Sequence, residues 1–339
     1  MVRALTLTLS LALTCPLAPA LAGDGGGEGS EAPALAVDKA LRWLKTKQEP
    51  DGHFPDEAER PVGTTAKVAL AFLGQGHTHR FGTYKRTVSK ALLWLKRQQR
   101  RDGSIGYDPK QPETILDHFL ATWSLAEAYA VSRDFTLKRY VETALAFTLE
   151  ASTPWSLKGE GQPDTVGVGF ATMALKACKT AGIAVPAAAW ERVRKHFDAV
   201  SEASGQVGLR KAGDGGPSKI LPLGEALAYL SRLFAGQRRS ELGPLMKRLR
   251  AKPPAWKTGE RDYVYWYFGT YALFQQGGEP WKAWFAEADT VLLGNQREDG
   301  SWPAVDTKQA KRGEVFTTAF AVAALEIWCR YERARNYKR

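Results

Sequence analysis

The chain has 339 residues and a formal net charge of +11, from 47 Lys and Arg against 36 Asp and Glu. Once a leader is removed, about 317 residues remain, enough for one large core or two domains, and no Pro/Gly/Ser-rich linker divides them. Of the three cysteines, Cys15 falls in the leader and Cys178 and Cys329 sit in apolar helical patterns, so buried thiols are expected rather than a disulfide framework.

The positive excess would suit an anionic partner: a lipid headgroup, an acidic glycan or a nucleic acid. It is spread along the chain, however, with local clusters at 96–101, 238–239 and 247–252. Solvated helix faces account for these clusters, so no nucleic-acid partner is expected, while peripheral membrane contact stays open.

In chain order, Arg3 gives a short basic start and residues 4–13 an apolar run too short to span a membrane. Ala20-Leu21-Ala22 reads as a small-residue cleavage site. The expectation is a signal peptide at 1–22 and export to the periplasm or beyond. A Gly/Glu-rich leader follows at 23–36, then one domain over 37–339.

That domain reads as six helical pairs, each an outer helix, a turn and a more apolar inner helix. The pairs are 37–47 with 64–73, 88–98 with 115–131, 139–149 with 165–180, 188–201 with 221–234, 242–250 with 262–276, and 281–293 with 315–333. Outer segments carry one apolar stripe between lysines and arginines, as at Ala40, Trp43 and Leu44. Inner segments such as 68–73 and 319–325 are apolar all round and demand burial on every side. Two concentric helical rings satisfy both patterns, and no segment alternates with period two.

Three of these junctions carry nearly the same phrase: Gln48 then Asp51-Gly52-His53-Phe54, Gln99 then Asp102-Gly103-Ser104-Ile105, and Gln296 then Asp299-Gly300-Ser301-Trp302. Their aspartates lie 51 and 197 residues apart, the second interval being four steps of about 49. Glycine supplies positive φ past a helix end, Asp bonds its own turn, and Gln can tie down loose backbone. The motif is therefore read as structural.

This Gln/Asp-Gly-aromatic phrase resembles the QW repeat of squalene and oxidosqualene cyclases, whose α/α toroid is shared by protein prenyltransferase β subunits and complement-type thioester domains. The runs at 262–273 and 315–321 are similar to those of exported bacterial prenyltransferase/squalene-oxidase repeat proteins. The resemblance covers nearly all of the chain after the leader and implies an all-α fold, an α/α toroid of about six hairpins with a central cavity. It does not carry the activities over. The Asp-x-Asp-Asp acid motif of the cyclases is absent, as is the thioester Cys-Gly-Glu-Gln. Cys178 and Cys329 lie too deep in apolar sequence for a prenyltransferase zinc site.

A closed ring gathers the inner-helix N-termini at one mouth, at Thr65, Asp117 with His118, Asp164, Glu225, Asp262 and Glu314. Carboxylates around an apolar funnel can protonate a substrate or bind a cation, but they are also the caps that helix N-termini favour. Asp164, Asp117, Asp262 and Glu314 are the candidate catalytic acids. Asp164 leads, because Gly159, Gly161, Gly167 and Gly169 allow close approach; it would need a raised pKa. Trp123, Phe170, Tyr229, Tyr263, Trp266, Tyr267 and Phe316 are the candidate ligand-binding aromatics.

His77-x-His79 lacks a third ligand, no Gly-x-Ser-x-Gly elbow occurs, and Gly213-Asp214-Gly215-Gly216 reads as a turn, so no metal or cofactor is expected. Three functions follow in order of preference. The first is a toroid that binds an apolar, isoprenoid-like ligand or a protein segment in its central cavity. The second is an isoprenoid cyclase or transferase with an acid at the barrel mouth. The third is a polysaccharide-active α/α barrel.

Overall fold

The structure, a computed structural model, describes residues 31–150, 152–159, 162–214, 221–259, 261–304 and 309–336. The expected signal peptide and most of the leader, like the Cys329 side chain, lie outside the described residues. Twelve α-helices are present among those described: α1 Ala32–Thr46, α2 Pro61–Gly74, α3 Lys85–Arg97, α4 Ile115–Ser132, α5 Phe135–Leu149, α6 Thr165–Thr180, α7 Ala187–Val200, α8 Leu221–Phe234, α9 Gly243–Arg250, α10 Tyr263–Gln276, α11 Gly278–Leu293 and α12 Gly313–Asn336. The first begins at Ala32, taking in residues expected to belong to the leader.

The even-numbered helices form the inner ring. Each packs on the next, α2 on α4, α4 on α6, α6 on α8, α8 on α10 and α10 on α12, and α12 returns to α2. The fold is all-α, as the helical pattern predicts, and an α/α toroid, as the resemblance implies. Inner helices are buried on nearly every side; of α2 only Pro61 escapes full burial. No helix among the described residues is long and apolar enough to cross a membrane.

The pairing differs from the expected one in one respect. Helices α3, α5, α9 and α11 dock chiefly on the inner helix that precedes them, α7 bridges α6 and α8, and α1 docks on α12. Connection length explains this. Only residues 133–134 separate α4 from α5, and Gly277 alone separates α10 from α11, whereas the outer-to-inner crossings are longer, three of them running through the Gln/Asp-Gly turns. Short links make antiparallel neighbours. The true hairpins are therefore inner-then-outer, and the last inner helix closes on the first outer one.

The Gln/Asp-Gly turns stitch the outer ring. The Gln48 Nε2 donates to Gly52 O and to Thr87 O on α3, Gln99 Nε2 to Tyr140 O on α5, and Gln296 Nε2 to Gly300 O and Ala36 O on α1, each at 2.8–3.0 Å. Each glycine has positive φ and lies against the next outer helix: a Cβ would stand 2.5 Å from Lys90 O at Gly52 and 2.6 Å from Lys39 O at Gly300. The following residue is tied inward, since Phe54 N donates to Thr65 Oγ1, Ile105 N to His118 Nδ1 and Trp302 N to Thr318 Oγ1.

A fourth, degenerate copy closes the same turn at 202–206, with Glu202 N bonded to Gln206 O and Gly205 against the backbone of α9. Pattern reading misses it because Ser204 stands where Asp is expected.

Two mouths of the inner ring

Alternating inner and outer helices run antiparallel, so the inner ring has an N-terminal and a C-terminal mouth, and the two differ in chemistry. At the N-terminal mouth the acidic residues are held by specific donors. Asp164 caps α6, accepting from Gly167 N (2.8 Å), Leu157 N (2.6 Å) and Ser156 Oγ (3.1 Å). Asp262 caps α10 through Tyr265 N (2.9 Å) and also accepts from Gln309 Nε2 (2.8 Å). Glu314 pairs with Arg297 at 2.6 Å on the partly exposed rim, and Glu225 with Arg248 at 2.6 Å.

Asp117 belongs to a buried clasp. Arg60 Nε donates to its Oδ2 at 2.8 Å and Arg312 Nη1 to its Oδ1 at 3.3 Å. Arg312 also donates to Asp56, which accepts from Thr64 Oγ1 as well, and its guanidinium lies over the Phe316 ring at 4.3 Å. Burial pushes the Asp117 carboxyl up, and the two arginines oppose that shift. Gly63 is needed here, because a Cβ would run into the Asp117 carboxylate. The clasp joins α2, α4 and the entry to α12 and so locks the ring closed.

His118, beside Asp117, is a structural counterpart of Thr65 and Thr318: Nδ1 accepts from Ile105 N, and Nε2 bonds Thr148 Oγ1 at 2.9 Å. Burial pulls its pKa down to about 3. His79 bonds Asp134 at 2.8 Å and His77 packs edge-on against Tyr84, so the two do not converge. Among the described residues no cluster of His, Cys, Asp and Glu is arranged to hold a metal.

Rings plug the lumen above the clasp. Phe316 meets Phe320 at 4.9 Å, Phe320 meets Tyr267 at 5.8 Å, and Phe170 meets Phe268 at 5.2 Å. Tyr229 turns its hydroxyl to Gln276 Oε1 and Tyr263 to Pro303 O, while Trp266 packs against Tyr263 and Trp256. Burial raises the phenol of Tyr229 to about 12.

Beyond that plug, towards the C-terminal mouth, lies a cavity of about 60 Å³. Its walls come from five inner helices: Lys67 and Leu70, Trp123 and Glu127, Met173, Lys176 and Ala177, Tyr267, Tyr271 and Phe274, and Ala323, Glu326 and Ile327. Within each helix these positions recur at i, i+3 and i+4, the spacing of one face. Two of the seven expected aromatics, Trp123 and Tyr267, line it; Phe170, Tyr229, Tyr263, Trp266 and Phe316 are placed elsewhere.

Four ionisable side chains share the cavity. The Lys67 ammonium is fully buried, 3.8 Å from the Tyr267 ring centroid, 4.2 Å from Phe320 and 5.7 Å from Trp123. Glu127 and Glu326 are also buried, and Lys176 lies 5.5 Å from the Phe234 ring. Sequence reading missed this quartet. The signal was there: four inner helices, apolar nearly all round, each carry one ionisable residue at a lumen-facing position.

No protein-family model matches the chain, and no curated protein matches it. Among solved structures it is similar to the type II terpene cyclase MstE from Scytonema, in a variant bound to geranylgeranyl dihydroxybenzoate. That match has 15% identity over 88% of this chain and 97% of the other, at a TM-score of 0.60. The GH76A α-1,6-mannanase from Salegentibacter sp. HEL1_6 aligns at 11% identity over 88% and 99%, TM-score 0.61. A protein from Actinoplanes aligns at 14% over 87% and 98%, TM-score 0.57. At these identities the likeness is one of fold, the α/α toroid.

Proposed function

We propose that the chain is an exported binding toroid whose ligand presents a small charged or hydrogen-bonding end group to the C-terminal mouth. The observation that carries this reading is the cavity itself. About 60 Å³ holds a few waters or one small group, far below the 300–1,000 Å³ typical of sites that engulf a drug-sized molecule. Its walls combine Lys67, Glu127, Lys176 and Glu326 with the faces of Trp123, Tyr267 and Tyr271. Aromatic faces and opposite charges suit the end of a protein segment, or the polar head of a larger ligand lying outside the barrel.

This narrows the first expectation. An isoprenoid-like ligand fits only with its polar end inward, because Phe316, Phe320, Phe170 and Phe268 occupy the lumen that its chain would need. The cyclase alternative is less favoured, since Asp164, Asp117 and Asp262 are held by backbone, hydroxyl, amide or guanidinium donors and Glu314 by Arg297, although burial raises the Asp117 carboxyl. One observation favours the glycan-active reading: Glu127 of α4 and Glu326 of α12 face one cavity, and hydrolysis of a glycosidic bond uses two carboxylates.

Trp123 gives the test. Its fluorescence, read as the difference from a Trp123→Phe variant, is titrated with short peptides, α-1,6-mannotriose and an uncharged C20 isoprenoid. The proposal expects saturation by ligands with a charged or hydrogen-bonding end and weakening of at least tenfold in Glu127→Gln. Saturable binding of the uncharged isoprenoid, indifferent to Glu127→Gln, would overturn it. Turnover of the oligosaccharide, lost in Glu127→Gln and Glu326→Gln, would establish the glycan-active reading instead.

A further inference from the structure

Helix α3 differs from the other long outer helices in its charge. Between Lys85 and Arg101 the sequence KRTVSKALLWLKRQQRR holds no acidic residue, whereas α1 carries Asp38, α5 Glu142, α7 Glu191 and Asp198, and α11 Glu279, Glu287 and Asp289. Burial sorts the α3 residues cleanly. Thr87, Val88, Ala91, Leu92, Trp94 and Leu95 face the barrel, and Lys85, Arg86, Ser89, Lys90, Leu93 and Arg97 face out.

At 100° per residue, Arg86, Lys90, Leu93 and Arg97 fall within an arc of about 60°, a line about 16 Å long down the outer surface. Among the described residues no carboxylate pairs with Arg86, Lys90 or Arg97. Two apolar side chains accompany these cations in the open. Leu93 is 44% exposed in the middle of the line, and Phe81 is 70% exposed in the turn leading into the helix.

We infer that the outer face of α3 docks the protein on an anionic lipid surface. Charge alone would suit any polyanion; the exposed Leu93 and Phe81 favour a bilayer. A lysine- and arginine-rich face with apolar residues beside it is the composition that settles at a headgroup boundary, where the cations meet anionic headgroups and the apolar side chains enter the acyl edge.

The test is co-sedimentation of the full chain with vesicles of 30% phosphatidylglycerol in phosphatidylcholine, and with phosphatidylcholine alone. Three variants accompany it: Arg86→Gln/Lys90→Gln/Arg97→Gln, the charge-matched control Lys195→Gln/Lys247→Gln/Arg250→Gln from other exposed outer positions, and Phe81→Ser/Leu93→Ser. All carry the same N-terminal segment, so differences between them report on the face. At about fivefold per basic residue, the α3 charge variant should bind the anionic vesicles about 100-fold more weakly. The control should lose tenfold or less, and the apolar variant should lose several-fold.

Rising salt should weaken wild-type binding. Equal binding by wild type and the α3 charge variant would overturn the proposal, and so would an equal loss in the control, which would reduce the effect to net charge. If Phe81→Ser/Leu93→Ser binds like wild type and soluble polyphosphate competes fully, the face is a polyanion site and the lipid assignment fails.

Discussion

The two mouths of the inner ring are built from the same helices, yet their charged residues are placed by different logic. At the N-terminal mouth, acids sit where the helix dipole and vacant N–H groups already favour them, and their donors are identified: Gly167 and Leu157 for Asp164, Tyr265 for Asp262, Arg60 and Arg312 for Asp117. Towards the C-terminal mouth the logic reverses. Glu127 lies in the later part of α4, where the dipole disfavours a carboxylate, and helix stability gives no reason to bury Glu127, Glu326 and Lys67 in an aromatic wall. An acid that capping explains is poor evidence of function; charges gathered on one lumen-facing wall, where capping gives no reason for them, are better evidence.

This contrast can be broken most sharply at Arg312. Arg312→Ala leaves Asp56 and Asp117 buried with a lost partner and should cost about 3–5 kcal/mol in denaturant unfolding, with binding by the surviving folded fraction unchanged. Unaltered stability would remove the clasp from the account.

Acid should act on the same half. His118 is held to about 3 and His196 to about 4 by burial, against an unfolded value of 6.5. Both are neutral in the fold, so the stability they retain above pH 6.5 is lost as pH falls towards 4, on the order of 3 kcal/mol each. A thermal-denaturation midpoint flat between pH 7 and 4 would contradict their buried, neutral state. His118→Gln should lose one proton's worth of that slope.

The stitching is tested by glycine. Gly300→Ala places a Cβ against the Lys39 carbonyl at a φ of +98°, and should cost about 2–3 kcal/mol. Gly76→Ala has φ +82° and no neighbour within 4 Å, and should cost about 1 kcal/mol. Equal effects would show that the contact with α1 is not what fixes Gly300. The smallest stability effect is expected at the cavity, where Glu127→Gln should move the melting temperature by only a few degrees while it weakens ligand binding.

Much of the fold could be read in the chain. The apolar periodicity placed all twelve helices, and Thr165–Thr180 and Leu221–Phe234 match the expected bounds to the residue. Pairing partners were not legible, because periodicity reports which face is buried and not which neighbour buries it. The site was less legible for a related reason. The aromatic run of α10 is dense because that helix is surrounded, so Tyr263 and Trp266 point into helix packing while Tyr267 and Tyr271 reach the cavity. Charge within the apolar helices was the better guide, and Lys67, Glu127, Lys176 and Glu326 stood in the sequence as four interruptions of that kind.

The claim that function resides at the C-terminal mouth is tested most directly by native mass spectrometry of detergent-free wild type, Ala323→Leu and Asp164→Asn. Ala323 lines the cavity, so leucine there fills it, whereas Asp164 lies at the N-terminal mouth, where it caps α6 and holds Ser156 and Leu157. The account predicts a bound mass in wild type and in Asp164→Asn that is lost from Ala323→Leu. A bound mass that survives in Ala323→Leu and disappears in Asp164→Asn would contradict it and move the site to the N-terminal mouth.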